Sequence, residues 1–219
     1  MRTTKQLYLG LVMAALAATA HSTIIDHVDY LTDTASQLDW LDVTLSWNRS
    51  YVDVSSQFGI GGDFEGWRYA DLGEVYQLLT NTTGESVMPD GWTSFSGNTI
   101  DSLVSMLGST YDQEYVFRFG STWDAAHGYS EGEGIDFTYG FTSIPSATNP
   151  SHQRMAYIQD DDTGQWGGDL FYDRYQLSNN NRYINAGSFL VRRTSIPEPS
   201  VIALLAIGMI GGIVSRLRR

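Results

Sequence analysis

The sequence predicts an α+β domain over residues 21–195, and two observations carry that expectation. Amphipathic runs with helix-capping signals gather before residue 110, whereas short β-branched and aromatic runs separated by Gly, Asn, Asp and Pro follow it. No repeat of fixed period is present, so a solenoid or propeller is not expected. The alternative architecture is an all-β sandwich, which would lack helix.

The elements follow in order. DYLTDTASQLDWLDV at 29–43 places Tyr30, Leu31, Leu38, Trp40, Leu41 and Val43 around the turn-forming DTAS, which reads as a hairpin. Ser50 and Asp53 have the Ser-x-x-acid spacing of a capping box, and Tyr51, Val54 and Phe58 share a helical face that Gly59 should end. After the glycine-rich GIGGDFEG comes Asp71-Leu72-Gly73-Glu74, a second capping box. Leu72, Val75, Tyr76 and Leu79 behind it form an i, i+3, i+4, i+7 stripe. Ile100, Leu103, Val104 and Leu107 make a third stripe that stops at Gly108. Strands are expected at 115–119, 135–141, 155–158, 170–172 and 189–192. Trp40, Trp67, Leu72, Val75, Leu79 and Phe117 are assigned to the core.

Both ends have a physical order of their own. Arg2 and Lys5 precede an apolar run at 7–17, and Ala18-Thr19-Ala20 is a small-x-small cleavage site, so residues 1–20 read as a secretory signal peptide cut after Ala20. At the other end, Pro197 and Pro199 flank Glu198 in a stiff, extended triplet. Residues 200–215 then carry no charge, and as a helix at ~1.5 Å per residue they reach about 24 Å, a little under a ~30 Å hydrocarbon core. Arg216, Arg218 and Arg219 close the chain and hold that end on the cytoplasmic face, which puts the body outside. The triplet, apolar segment and terminal arginines over 196–219 resemble the PEP-CTERM sorting signal of exported Gram-negative proteins. That resemblance implies a membrane-embedded exosortase as processing partner, a transmembrane intermediate at the inner membrane, and release to the cell surface or an exopolysaccharide matrix.

Between residues 21 and 198 stand 8 basic and 25 acidic residues, a formal charge of −17 without one lysine. Such a body repels phosphate backbones, which excludes nucleic acid as a partner. The chain has no cysteine, so disulfides, thiolate metal sites and cysteine nucleophiles are excluded and stability rests on packing. The 6 Trp, 13 Tyr and 9 Phe, all but Tyr8 in the body, supply it.

A second resemblance rests on WLDVTLSWNRSYVDVSSQF, GWRYADLGEVYQLL and the late GSFLVRR. Their order is similar to C-type-lectin-like domains and bacterial Lcl-type relatives, which implies two or three short helices and a twisted antiparallel sheet. The opening strand pair is then met by a closing strand at 189–192. The Glu-Pro-Asn, Gln-Pro-Asp and Trp-Asn-Asp triplets of calcium-dependent sugar sites are absent. Met88-Pro89-Asp90 lacks the ligand before proline, so the topology carries over without that sugar site.

Motifs that specify chemistry are sparse. The cation candidate is QDDDTGQWGGD, with Asp160, Asp162 and Asp169 as oxygen ligands for Ca²⁺. Read from Asp160, an EF-hand would need a ligand, a glycine and a glutamate where Gly164, Gln165 and Phe171 stand, so a solvated acidic turn is the favoured reading and no cofactor is expected. The four histidines form no zinc spacing; His127, among aromatics and acids, reads as a loop residue. GIGGDFEG has no Gly-Lys-Ser/Thr, and no Gly-x-Ser-x-Gly elbow occurs. The expected role is therefore non-enzymatic, structural or glycan-binding; a matrix polysaccharide hydrolase is the alternative. Trp92, Trp123, Tyr129 and Trp166 lie in glycine-rich, polar surroundings and are the rings on which neutral sugars would stack.

Overall fold

Asp33 shows why the first hairpin closes where it does. Its buried carboxylate accepts from the Ala35 amide and the Ser36 hydroxyl, and Asn81 donates to it from a later helix, so turn and helix are tied through one group. The computed structural model describes residues 23–89, 91–95, 99–110, 135–161, 170–173 and 175–194. Both terminal segments, the strand expected at 115–119 and the core assignment of Phe117 lie outside them. Eleven strands, three α-helices and one 3-10 turn are present among the described residues.

Strands β1 (Ile24–Asp26), β2 (Tyr30–Asp33), β3 (Leu38–Leu41), β4 (Arg68–Tyr69) and β11 (Leu190–Arg193) form an antiparallel sheet in the order β1-β2-β3-β11-β4. A second sheet runs β10 (Gly187–Ser188), β6 (Ile135–Pro145), β7 (His152–Asp161), β8 (Leu170–Tyr172), β5 (Trp92–Ser94), and β9 (Gln176–Ser178) also pairs with β7. The protein is therefore α+β, but the single antiparallel sheet expected from sequence is two sheets, and β10 joins β6 in parallel. The late strand β11 returns between β3 and β4, pairing with Arg68 and Tyr69 of GWRYA, far away in sequence.

Helix α1 (Tyr51–Ser55) is capped by Ser50, whose hydroxyl accepts from the Asp53 amide. It ends four residues before Gly59, because Phe58 turns inward against Tyr69 and Gly62 packs against the Gln57 backbone. Helix α2 (Leu72–Thr83) has both halves of its box, Asp71 accepting from the Glu74 amide and Glu74 from the Asp71 amide, and Gly84 closes it at φ 74°. Helix α3 (Thr99–Leu107) buries Ile100, Leu103, Val104 and Leu107. With Val75, Leu78 and Leu79 of α2 these side chains meet Leu31, Trp40 and Val191 of the first sheet and Ala156, Ile158 and Phe171 of the second. Each fully buried aliphatic contributes about 1.5–3 kcal/mol. Trp40, Trp67, Leu72, Val75 and Leu79 are buried as expected.

The two sheets are sewn together between β10 and β11, where Phe189 alone separates them. Its amide donates to Phe141 of β6 and its carbonyl accepts from Ala70, beside β4. The approach is so close that a Cβ at Gly187 would stand 2.2 Å from the Val43 carbonyl oxygen, and one at Gly140 would stand 2.9 Å from the Phe189 ring. Only glycine fits either position without displacement.

Candidate ligand-binding cleft

The face of the second sheet turned away from α2 and α3 is built by strand alternation. Ile158 and Phe171 point into the core, so their neighbours Tyr157 and Tyr172 point the other way. Register then sets four aromatic residues in one line: Trp92 of β5 faces Tyr172 of β8, Tyr172 faces Tyr157 of β7, and Tyr157 faces Tyr139 of β6. At ~4.8 Å per strand this row runs about 14 Å across the sheet. Trp92 lies against Tyr172 at 4.4 Å between centroids, and Tyr139 meets Tyr157 edge-on at 5.8 Å.

Tyr175 stands over the row, edge-on to Tyr172, Tyr139 and Tyr157 at 4.7, 5.7 and 6.1 Å. Its place is fixed by its backbone: the Met155 amide donates to the Tyr175 carbonyl, and Arg154 bonds the carbonyl of Asp173 two residues earlier. The Asp173 carboxylate, fully buried, also pairs with Arg154 at 3.2 Å and accepts from the Tyr76 hydroxyl of α2. Across the cleft, Leu177, Tyr183, Ile184, Asn185 and Ala186 form the facing wall, with Phe137 and Gln159 at one end. The space between is 390 Å³.

Two of its rings are open to solvent, Trp92 at 54% and Tyr175 at 46%. None of the described lining residues is charged. Burial, reinforced by the neighbouring Tyr175, Tyr183 and Tyr157, pushes the Tyr139 hydroxyl far above the ordinary tyrosine value, so it stays a neutral hydrogen-bonding group. The Tyr157 hydroxyl donates to Gln159 Oε1; Gln159 Nε2 and Asn185 Oδ1 are buried without a hydrogen-bond partner. The wall thus combines apolar ring surface with two buried amide atoms, and Trp92 and Tyr175 are the rings it opens to solvent.

Of the ring residues singled out from sequence, the structure places Trp92 in this cleft; Trp123, Tyr129 and Trp166 lie outside the described residues. Asp160 sits on strand β7 opposite Asp136, not on a loop, because the strand continues to Asp161; Asp162 and Asp169 lie outside the described residues. Among the described residues no three His, Asp or Glu gather as a metal site. Ala18, Ala20, Pro197, Glu198, Pro199, Arg216, Arg218 and Arg219, together with His127, also lie outside them. Among the described residues no helix is long and apolar enough to cross a membrane. Sequence reasoning missed Tyr139, Tyr157, Tyr175, Tyr183, Gln159 and Asn185. The alternations Phe137-Tyr139-Phe141 and Met155-Tyr157-Gln159 were the available signal for three of them.

Residues 195–219 match the PEP-CTERM protein-sorting motif. No curated protein and no solved structure matches the chain.

Proposed function

We propose that this PEP-CTERM protein delivers a non-enzymatic, glycan-binding body to the cell surface or extracellular matrix, and that the aromatic cleft is where a neutral polysaccharide docks. The motif at 195–219 marks an exported protein that an exosortase processes from a membrane-anchored intermediate. The observation that carries the binding reading is the row from Trp92 to Tyr139 with Tyr175 over it. The exposed rings of Trp92 and Tyr175, backed by the half-buried Tyr172, Tyr157 and Tyr139, match the apolar ring faces that an uncharged sugar offers. Charge points the same way, since a body at −17 whose described cleft residues carry no positive charge repels acidic polymers. Glycoside hydrolysis needs two carboxyl groups, and the described lining supplies none, which favours binding over turnover. The order of hairpin, α1, α2 and returning β11 supports a lectin-like topology within this reading. No cofactor takes part in it.

Affinity electrophoresis tests it. The processed protein should be retarded in gels containing a soluble neutral glucan or galactan, and Trp92→Ala and Tyr175→Ala should each release it while keeping the parental circular dichroism. Equal mobility of parent and both variants across a panel of neutral polysaccharides would refute the reading.

A further inference from the structure

The body grips its chain to the last residue before the sorting motif. The Thr194 amide donates to the Gln37 carbonyl at 3.1 Å and its hydroxyl bonds the Asp39 carboxylate at 3.2 Å. Two residues earlier, the Arg192 guanidinium pairs with Asp39 and lies over the Trp67 and Tyr30 rings at 4.4 and 4.9 Å. Only Ser195 and Ile196 then separate Thr194 from the Pro-Glu-Pro triplet. Three residue steps at ~3.6 Å reach about 11 Å even when fully extended. A body of this length has a radius of gyration of about 16 Å, so its tether is shorter than its own radius. Any partner that holds the triplet therefore touches the body, and it touches the face from which the chain leaves.

That face is not featureless. Ser36, Gln37, Arg68, Arg193 and the carboxylates Asp71 and Glu74 line a polar concavity of 720 Å³ between the β2–β3 turn, the start of α2 and the end of β11. Arg68 is taken up by Glu74. Arg193 is exposed and, among the described arginines, is the one whose side chain meets no carboxylate; Arg49, Arg154, Arg182 and Arg192 are all paired. In a body so rich in acids, a free cation beside the exit of the tail is a charge held for something outside the body.

We propose that this concavity is a docking surface for the exosortase that processes the chain, with Arg193 meeting an acidic group of the enzyme, so that processing reads the folded body as well as the triplet. The inference rests on the sorting motif and is independent of the ligand cleft. It is tested on the full-length precursor in cells that hold the exosortase, by pulse-chase of its conversion to the processed form. Four chains are compared: parent, Arg193→Glu, a 12-residue Gly-Ser spacer between Thr194 and Ser195, and the two changes together. Such a spacer averages about 20 Å end to end and frees the enzyme from the body. Arg193→Glu should slow conversion several-fold in the parent, the spacer alone should slow it similarly, and Arg193→Glu should add nothing once the spacer is present. Parental rates for both single changes, or an equal slowdown by Arg193→Glu with and without the spacer, would overturn the proposal. Resistance of Arg193→Glu to limited proteolysis, expected at the parental level for an exposed unpaired residue, separates slow processing from misfolding.

Discussion

Replacing Gly187 by alanine tests how the two sheets are joined. The new Cβ would stand 2.2 Å from the Val43 carbonyl oxygen, 2.7 Å from Val43 Cγ1 and 3.1 Å from Ser46 Oγ, and the nearest of these is backbone, which cannot swing aside. Either β10 or the 3-10 turn at Val43–Ser46 must move by most of an ångström. That movement also strains the bond from the Ser188 amide to Ser46 Oγ, 2.8 Å long and buried. Overpacking of this kind costs about 1–3 kcal/mol, and a buried donor losing its acceptor adds about 1–3 kcal/mol. Taking the middle of both ranges gives about 4 kcal/mol, a large part of a typical 5–15 kcal/mol stability. In a domain of this size that lowers Tm by roughly 8–16 °C. Gly59→Ala is the matched control, because nothing lies within 4 Å of its Cβ and it needs no left-handed backbone. Urea and thermal unfolding of both variants decide the matter. A Gly187→Ala variant melting within a degree or two of Gly59→Ala would refute the close packing of β10 on the Val43–Ser46 turn.

Other consequences follow from the same geometry. Asp71→Ala removes one half of the α2 capping box and should cost about 1 kcal/mol in urea unfolding, lowering Tm by roughly 2–4 °C. Burial alone would raise the Glu74 carboxyl, but the Arg68 guanidinium and the Asp71 amide outweigh it and leave it below its usual value, while Arg49 lowers Asp53. The stability these two contribute is present above the ordinary carboxylate range and is lost as pH falls through their folded values, so unfolding followed from pH 6 to pH 3 should show a decline that Glu74→Gln reduces. Asp42 has the opposite sign: burial raises it despite the Thr44 bonds, with Asp29 and Asp26 adding to the shift. Its charge therefore costs stability once pH exceeds the folded value; Asp42→Asn, which keeps an acceptor for Thr44, should stabilise the protein at pH 7 and lose that advantage at pH 3.

What the sequence made legible tracks how local each signal is. Helix α2 could be read at its start and along its buried face because Asp71, Glu74 and the apolar stripe to Leu79 lie within nine residues and agree with one another; its stop at Gly84 was not read. The hairpin at DTAS and the long strands β6 and β7 were legible for the same reason, being apolar runs bounded by turn residues. Strands β4, β5, β9 and β10 have two or three residues, too few for alternation to show, and each exists because a neighbour elsewhere in the chain completes it. The cleft divides the same way. Trp92 could be picked out from its polar, glycine-rich setting. The line Trp92-Tyr172-Tyr157-Tyr139 depends on the order β6-β7-β8-β5, and no residue near Trp92 announces that its strand pairs with one almost eighty residues later. Tyr175 and Tyr183 carry no local pattern at all; the buried Arg154–Asp173 pair and the packing of residues 183–186 bring them to the cleft.

The most direct measurement is a crystal structure of the processed protein soaked with a short neutral oligosaccharide from a polymer that retards it. The account predicts sugar rings laid along the row, one over Trp92 and one against Tyr175. Sugar bound on another face with this cleft empty would contradict it.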